Sequence, residues 1–314
     1  MFFSAYCLRR HGGGQGERSS RALHALFVNS FGGFVLLLSL IHLHAVSGTL
    51  DMYKLVADMG RRGFSLLPLA LLCLAAMIKS AQLPFQKWLL GAMIAPTPVS
   101  ALLHASTMVN AGAYLVLRFS PAITGGRVGV ALAMLGAVSF AATAALAIGK
   151  RNAKKILAFS TISNLGLIFA CAGLASPAAA AIGLFLLLLH AVSKGLLFLC
   201  IGNFEQHLES RDLETMRGLA IALPLTGIIA IIAILALILP PFGMLLGKWL
   251  LLESGASNLP FFTLLVVGNG CTLLYWMRLT GTLIPGAAGV PVLRESKIGF
   301  IHIPQIILCL AVFV

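Results

Sequence analysis

The feature that most constrains this chain is a succession of apolar runs, each long enough to cross a lipid bilayer and separated from the next by a short loop. About 20 apolar residues cross a bilayer as a helix, and on this basis we predict nine helices after a short stub at the start. Their approximate ranges are 22–46, 63–83, 99–117, 128–149, 156–175, 178–202, 219–252, 259–277 and 298–314. Hydrophobic residues make up 59% of the 314 positions and charged residues 10%. The core of a soluble protein does not require so high a share of hydrophobic residues. The sequence therefore predicts an all-α, polytopic transmembrane helix bundle.

The distribution of positive charge predicts which side of the membrane each loop faces. The net charge is +13, but the basic residues lie between apolar runs, so we expect a lipid bilayer and no nucleic acid as the partner. If consecutive loops alternate between the two sides, one side has fourteen Lys and Arg residues and the other has five. The first group is Arg9, Arg10, Arg18, Arg21, Lys87, Lys150, Arg151, Lys154, Lys155, Arg211, Arg217, Arg278, Arg294 and Lys297, and the second is Lys54, Arg61, Arg62, Arg118 and Arg127. By the positive-inside rule the first side is cytoplasmic, or the matrix side in a mitochondrion.

The cysteines do not indicate a metal or redox centre. All six are scattered without CxxC spacing, and most lie within apolar runs; they are Cys7, Cys73, Cys171, Cys200, Cys271 and Cys309. We interpret them as small core residues. The glycine-rich stretch GGGQG near the start has no GK[ST], so a phosphate-binding loop is not indicated either. We therefore expect no cofactor and no metal in this chain.

Three lysines fall inside apolar runs, and the central one has a histidine beside it. His190 and Lys194 are four residues apart near the middle of an otherwise uncharged stretch, so they lie on one face of one helix. Ionisable groups at that depth are functional by default. The alternative is that both side chains are bonded to carbonyl groups of the core.

Lys79 and His104 form a second pair of titratable groups within apolar sequence. Sixteen uncharged residues precede Lys79, and Pro84 should break that helix because it removes a backbone donor. His104 follows in the next apolar run. Together they indicate a proton path, whereas the alternatives are a lysine reaching to the interface and a core histidine bonded to a carbonyl.

Lys248 repeats the arrangement around Lys79. The run 219–252 exceeds one crossing, and Pro240 and Pro241 divide it before Lys248. The two broken segments lie five helices apart, and an odd spacing inverts their orientation, which is typical of inverted repeats. We therefore divide the chain into 1–21 (a helix end and basic loop), 22–118 (the rest of a first repeat), 119–283 (a second repeat) and 284–314 (a loop and C-terminal helix). Glu253 is either a partner of Lys248 or an acid at the interface.

Four other segments are predicted to be structural. The Ala- and Gly-rich helix 128–149 should pack closely without taking part in chemistry. For Ser160, Thr161, Ser163 and Asn164 we favour bonds within their own helix over lining a water path. The segment 204–218 is interpreted as a solvated face, and 48–62 as a short amphipathic helix with Leu50, Tyr53, Leu55 and Met59 near one face.

Several of these segments resemble the antiporter-like membrane subunits of respiratory complex I, of membrane-bound energy-converting hydrogenases and of Mrp-type cation/proton antiporters. The resemblance rests on Lys79, Ser80, Gln82, Pro84, Trp88 and the run 96–109, on LAFSTIS at 157–163, and on the pattern H-A-x-x-K-x-L-L-F-L at 190–199. It implies two five-helix repeats, each with one broken helix. It also implies a proton relay with His190 and Lys194 at the centre, Lys248 on one side, and Lys79 with His104 as the other half channel.

The resemblance implies a proton-translocating membrane subunit of a redox-driven pump, either NADH:quinone oxidoreductase-like or hydrogenase-like. Such a subunit has no redox centre itself, works with other membrane subunits and with redox subunits carrying Fe-S clusters, and lies in a bacterial or archaeal plasma membrane as a multi-pass protein. The alternative is an Mrp-type Na⁺/H⁺ antiporter subunit. A purely structural scaffold would have to explain three lysines at membrane depth without chemistry.

Three departures from the family pattern lead to a further expectation. Gly91 and Gly33 stand where complex I relatives have acids, and the family's glutamate partner for Lys79 would precede Met1. Either this sequence is a fragment of a longer subunit or the first half channel is degenerate. Because both ends of the sequence fall inside predicted helices, we expect a fragment. We also expect that it does not translocate protons alone, because Lys79 lacks that carboxylate.

Overall fold

The structure is a computed structural model that describes residues 15–56, 66–123, 126–174, 176–239, 243–284 and 302–312, without the side chains of 15–18, Ser106 and Gly243. Within these ranges the ordered elements are helices, apart from one isolated bridge between Asn152 and Asp212. The α-helices are α1 (Gln15–Ser47), α2 (Leu66–Lys79), α3 (Lys87–Gly91), α4 (Thr97–Ala101), α5 (Met108–Ile123), α6 (Arg127–Ile148), α7 (Ala153–Gly173), α8 (Pro177–Leu208), α9 (Leu219–Ala222), α10 (Pro224–Ile238), α11 (Gly243–Ser254), α12 (Leu259–Leu283) and α13 (His302–Ala311). All nine predicted helices have a counterpart, and the predicted stub at 1–8 lies outside the described residues.

The lengths and compositions of these helices fit a membrane bundle. Six segments are long and apolar enough to cross a bilayer, namely α1, the run Thr97–Ile123, α6, α7, α8 and α12, and α2, α10 and α13 are shorter apolar helices. Large apolar side chains also point outwards: Phe27 on α1 is 74% exposed and Leu274 on α12 is 59% exposed. In water such a surface would be costly, whereas lipid solvates it. The chain is therefore an all-α multi-pass membrane protein, as predicted.

The core of the bundle is α7, which is almost completely buried. Small residues let α6 approach it closely. A Cβ atom added at Gly136 would lie 2.6 Å from the Gly166 carbonyl oxygen, and one added at Gly173 would lie 2.4 Å from that of Gly129. Such contacts between small residues are the usual means of helix association in membranes. The prediction that 128–149 packs closely is confirmed.

The first broken helix ends earlier than predicted. We expected it to reach Pro84, but α2 ends at Lys79 and the chain continues as turns to α3. The indole N–H of Trp88 donates to the Ile78 carbonyl over 3.0 Å, and the Ser80 hydroxyl donates to the Val109 carbonyl over 2.7 Å. The Ile78 carbonyl also accepts from the backbone N–H of Ala81 over 3.2 Å. These bonds hold the segment after α2 against α2 and α5, which allows the break to lie inside the protein.

The predicted continuous helix at 99–117 is also divided, which the sequence interpretation missed. A π-helical turn at Leu102–Ser106 separates α4 from α5, and His104 lies in this turn. The Asn110 side chain donates to the Ala105 carbonyl over 2.6 Å and so satisfies a group that the wider turn frees. Single π turns within helices occur frequently at functional sites.

The second predicted break is present. Helix α10 ends at Ile238 and α11 begins at Gly243, and Pro240 and Pro241 lie outside the described residues. The start of the predicted run 219–252 is divided as well, because α9 ends at Ala222 and α10 begins at Pro224. The long run therefore folds as three helices.

Basic residues of the loops gather at two ends of the bundle, as the charge count predicts. At one end the Arg278 guanidinium donates to the Lys150 carbonyl over 3.1 Å, and the backbone N–H of Leu213 donates to the Arg151 carbonyl over 2.8 Å. At the other end the Arg118 guanidinium lies 5.2 Å from the centre of the Tyr53 ring.

The predicted amphipathic helix at 48–62 is described only as far as residue 56. Residues 52–56 are helical, but Tyr53 is 76% exposed whereas Leu55 is 1% exposed. These two side chains therefore do not share one buried face, and residues 57–65, including Met59, lie outside the described residues.

Candidate functional site

The centre of the candidate site is the pair predicted on α8. His190 and Lys194 are both completely buried. The Lys194 ammonium donates to the Ser160 hydroxyl on α7 and lies 4.5 Å from the centre of the Trp276 ring on α12. The ammonium is thus stabilised by a hydroxyl group and by an aromatic face. These contacts differ from the alternative given above, in which Lys194 is bonded to a carbonyl group of the core.

Helix α7 supplies polar groups at the same spacing as the pair on α8. Asn164 Nδ2 lies 3.3 Å from His190 Nδ1, one helical turn from the contact between Ser160 and Lys194. Each helix therefore presents two polar residues four positions apart to the other. Because α7 is buried on all sides, these contacts are shielded from lipid.

The expectation that the polar residues of α7 bond only within their own helix is partly wrong. It holds for Thr161, which donates to the Leu157 carbonyl over 2.9 Å. Ser163 instead donates to the Phe140 carbonyl on α6 over 3.0 Å, and Asn164 contacts His190. Sequence alone could not show this, because the partners belong to helices whose packing against α7 is a tertiary property.

His104 joins the central pair from the π-helical turn. Its ring is completely buried and stacks on the Phe198 ring of α8, with 4.7 Å between the ring centres. Neither ring nitrogen has a hydrogen-bond partner among the described residues, so the alternative of a core histidine bonded to a carbonyl does not apply. His104 interacts electrostatically with Lys194.

Lys248 lies on α11, directly after the second break. Its side chain is 5% exposed, and its ammonium lies 3.5 Å from the Leu237 carbonyl at the end of α10. The C-terminal end of a helix carries a partial negative charge that favours such a cation. Lys248 also lines a cavity of about 290 Å³ together with Asn269 and Thr272. Glu253 is exposed, which agrees with the interpretation of an acid at the interface.

Four of the five predicted site residues form one electrostatic group. His190 interacts with Lys194, His104 and Lys248, and Lys194 interacts with Lys248. Lys79 is half-buried at the end of α2 and is not among the partners of these four residues. The π-helical turn directs His104 towards α8 and the central group, and its predicted role with Lys79 in one half channel stays a prediction.

Among the described residues, several buried polar atoms in and around this group have no protein partner. They include Nε2 of His190 and Oδ1 of Asn164, as well as both ring nitrogens of His104. Buried polar atoms are nearly always hydrogen-bonded, to protein or to water. Water molecules bridging these atoms would connect the titratable side chains into a path that can pass protons.

A further buried charge cluster was missed by the sequence interpretation. Lys154 is 1% exposed, and its ammonium lies 2.6 Å from Glu205 Oε2 and 3.3 Å from the Ala95 carbonyl oxygen. Arg211 also pairs with Glu205, and the Thr97 hydroxyl donates to this carboxylate over 2.8 Å.

Two predictions are corrected by this cluster. Glu205 was placed in a solvated loop, but α8 continues to Leu208 and carries it inwards. Lys154 is buried, as Lys194 and Lys248 are, and is not a solvated loop cation. No signal in the sequence distinguishes Lys154 from the exposed Lys155 next to it.

The central group has no acidic partner among the residues that the structure describes. The ion pairs among the described residues are those of Glu205 with Lys154 and with Arg211, outside the central group. The same residues contain no cluster of three or more His, Cys, Asp or Glu side chains suited to a metal ion. Positive charges in the central group are therefore balanced by hydroxyl groups, carbonyl groups and aromatic faces.

The chain is similar to known membrane proteins over most of its length. The family described as "NADH:quinone oxidoreductase/Mrp antiporter, TM" matches residues 2–273. Chain 5 of the NADH-ubiquinone oxidoreductase of Wickerhamomyces canadensis is 33% identical over 291 residues, which cover 91% of this chain and 43% of that protein. One of the subunits of the Na⁺/H⁺ antiporter of Alkalihalophilus pseudofirmus is 32% identical over 322 residues, which cover 91% of this chain and 40% of that protein.

A solved structure shows the same fold. A chain of the Mrp complex from Dietzia sp. DQ12-45-1b superposes with a TM-score of 0.84 at 29% identity, covering 100% of this chain and 35% of that one. The present chain spans less than half the length of these relatives. Since the family match extends over most of the sequence, and the described helices have the fold of its members, this chain belongs to the NADH:quinone oxidoreductase/Mrp antiporter transmembrane family.

Proposed function

We propose that this chain is a proton-translocating membrane subunit of a redox-driven complex, with His190 and Lys194 as the central relay. The observation that carries the proposal is the group of four buried ionisable side chains, His104, His190, Lys194 and Lys248, which interact electrostatically within the membrane bundle. Placing such groups at this depth costs several kcal/mol, and a purely structural scaffold would be more stable with apolar residues there.

The mechanism follows from the repulsion between neighbouring positive charges. Two cations about 10 Å apart repel by roughly 1–2 kcal/mol at an effective dielectric constant near 20. A proton that arrives at one member of the group therefore favours the departure of a proton from the next. Lys194 donates to the Ser160 hydroxyl when it is charged, and as a neutral amine it can accept a proton from a bridging water.

The two broken helices are proposed as the ends of the path. Lys248 follows one break and belongs electrostatically to the central group, so it is suited to exchange protons between that group and one side of the membrane. Lys79 ends the helix before the other break. Its role in a second half channel stays a prediction that requires a connection through water.

The proposed setting is a multisubunit membrane complex. We propose other membrane subunits and redox subunits with Fe-S clusters as partners, while this chain has no cofactor itself, so redox energy would reach it from those partners. The Dietzia relative is part of a complex, which supports partner subunits in general. For location we propose a bacterial or archaeal plasma membrane; bacterial relatives support this, and eukaryotic relatives match as well.

An Mrp-type Na⁺/H⁺ antiporter subunit is the second candidate. The observation in its favour is the similarity to the antiporter protein of Alkalihalophilus pseudofirmus and to the Dietzia Mrp complex. Proteoliposomes containing the complete complex separate the two functions. Proton flux that requires an imposed sodium gradient supports the antiporter, whereas flux that requires an electron donor and acceptor supports the pump.

The test of the proton relay is the variant Lys194→Ala in the complete complex. We expect it to assemble normally and to lose most of its proton flux, measured with a pH-sensitive dye in proteoliposomes. Lys194→Arg should fail as well, because a guanidinium stays charged and cannot release a proton. Lys54→Ala, which removes an exposed lysine, is the matched control. Flux near the wild-type rate in Lys194→Ala would refute the relay.

A further inference from the structure

A strongly basic pocket lies outside the proton path, at the end of the bundle where most loop cations gather. It has a volume of about 510 Å³, and Arg21, Lys87, Lys150 and Lys155 line it together with Leu90 and Phe159. These residues define what we call the basic pocket. His24 also contributes to its wall.

Four separate segments of the chain bring these cations together. Arg21 comes from the start of α1, Lys87 begins α3, Lys150 follows α6, and Lys155 lies in the first turn of α7. Among the side chains that the structure describes, no Asp or Glu lines the pocket. Like charges around one cavity repel each other, so this arrangement creates a local positive potential that attracts an anion.

The pocket is apolar on one side and lies at the level where helices enter the membrane. The Lys150 ammonium lies 5.0 Å from the centre of the Phe159 ring, which forms part of the apolar wall. The membrane-length segments near the pocket begin at Ser19 and Ala153 and end at Ile148. The cations therefore lie at the depth of lipid headgroups.

The helix α1, which contributes Arg21 and His24 to the pocket, also carries exposed apolar side chains. Leu23 is 61% exposed, Phe27 is 74% exposed and Phe31 is 48% exposed on successive turns of this helix. The same helix therefore offers cations at its start and an apolar outer face further along. A phospholipid has the matching shape, with an anionic phosphate and hydrocarbon chains attached to it.

We propose that the basic pocket binds the phosphate group of an anionic phospholipid whose acyl chains lie along the outer face of α1. Basic pockets between transmembrane helices on the cytoplasmic or matrix side are suited to anionic headgroups. Free phosphate would use the cations but not the apolar surface. An acidic segment of a partner subunit would likewise leave the exposed face of α1 unexplained.

The experiment measures crosslinking of a photoactivatable phosphatidylglycerol to the delipidated complete complex, quantified on peptides from 87–91 and 150–159. The test variant combines Lys87→Gln, Lys150→Gln and Lys155→Gln, whose side chains are exposed or half-exposed, so the fold should be retained. The matched control removes three cations at the opposite end, with Lys54→Gln, Arg118→Gln and Arg127→Gln. Each lysine should contribute roughly fivefold to the affinity, so the test variant should bind on the order of 100-fold more weakly than the control.

Further measurements identify the source of the anion. Lys155→Gln alone should weaken crosslinking roughly fivefold, and millimolar inorganic phosphate should not compete. Equal crosslinking of a photoactivatable phosphatidylcholine, or equal affinity of test variant and control, would overturn the proposal. Displacement by inorganic phosphate would show a free-anion site instead. Loss of another subunit from the test variant, with lipid crosslinking unchanged, would show that the pocket is a protein contact.

Discussion

The variant Glu205→Gln tests whether the buried charge cluster at the end of α8 holds this region together. In the structure the Glu205 carboxylate accepts from Lys154, Arg211 and the Thr97 hydroxyl. A glutamine has nearly the same shape but no charge. The change therefore leaves the Lys154 ammonium buried at 1% exposure without its counter-charge, with only neutral acceptors such as the Ala95 carbonyl.

The expected cost follows from the burial of each partner. Removing one member of a buried ion pair typically costs about 3–5 kcal/mol. The Arg211 side chain is 36% exposed, and a pair that is open to water contributes only about 0–1 kcal/mol. The pair with Lys154 therefore makes the larger contribution to stability. Because Glu205 is itself 17% exposed, we expect the free energy of unfolding to fall by an amount near the lower limit, about 3 kcal/mol.

Thermal unfolding of the purified protein in detergent measures this loss. For chains of a few hundred residues, 1 kcal/mol corresponds to roughly 2–4 °C in melting temperature, so Glu205→Gln should melt roughly 6–12 °C below the wild type. Glu209→Gln is the matched control, because it makes the same chemical change one turn further along at an exposed position. The control should melt within about 1 °C of the wild type.

A double-mutant cycle locates the effect in the pair with Lys154. Lys154→Met should also destabilise the protein, since it leaves the Glu205 carboxylate with fewer partners. The double variant Lys154→Met with Glu205→Gln should lose less than the sum of the single losses, because the buried charge and its counter-charge disappear together. Additive losses, or a melting temperature of Glu205→Gln equal to that of its control, would refute the reasoning.

Three further predictions concern packing, the first helix break and orientation. Gly173→Ala should lower the free energy of unfolding by about 1–3 kcal/mol, because its Cβ would lie 2.4 Å from a backbone oxygen of α6. Trp88→Phe should lower the free energy of unfolding by about 0.5–1.5 kcal/mol, because the Ile78 carbonyl loses one of its two donors and keeps the backbone N–H of Ala81. In a background without the native cysteines, cysteines placed at Arg151 and Gly126 should be labelled by an impermeant maleimide from opposite sides of the membrane, the first only from the cytoplasm.

Controls for these predictions come from the same chain. A Cβ at Gly33 would meet no atom within 4 Å, so Gly33→Ala should be neutral or slightly stabilising. Trp249 is 67% exposed, and Trp249→Phe should leave the melting temperature unchanged. If Gly173→Ala changes the free energy of unfolding no more than Gly33→Ala does, the close contact between α6 and α7 is refuted. Labelling of both cysteines from one side would contradict the helix count.

The class of protein and the succession of apolar membrane segments could be predicted from the sequence, because both follow from local hydrophobicity. A run of apolar residues is membrane-length whatever it packs against, and a proline lacks its backbone donor in any fold. Polar side chains inside such runs are equally visible, so Lys194, His190 and Lys248 could be identified as candidates. Their burial in the structure agrees with this.

The grouping of the candidate residues depended on tertiary structure. The sequence grouped His104 with Lys79 in one half channel, whereas only the structure shows that a π-helical turn directs its ring onto Phe198. Lys154 was counted among the loop cations, but the extension of α8 to Leu208 places Glu205 against it. In both cases the deciding contact joins segments far apart in the chain.

What the sequence by itself determined is therefore the set of elements and the titratable groups they carry, since hydrophobicity and backbone chemistry act over a few residues. Only the tertiary structure decided that Ser160 and Asn164 contact Lys194 and His190, that Glu205 pairs with Lys154, and that four segments join into a basic pocket. The physical reason is that hydrogen bonds and ion pairs act over a few ångströms in space, and spatial proximity between distant segments is fixed by packing.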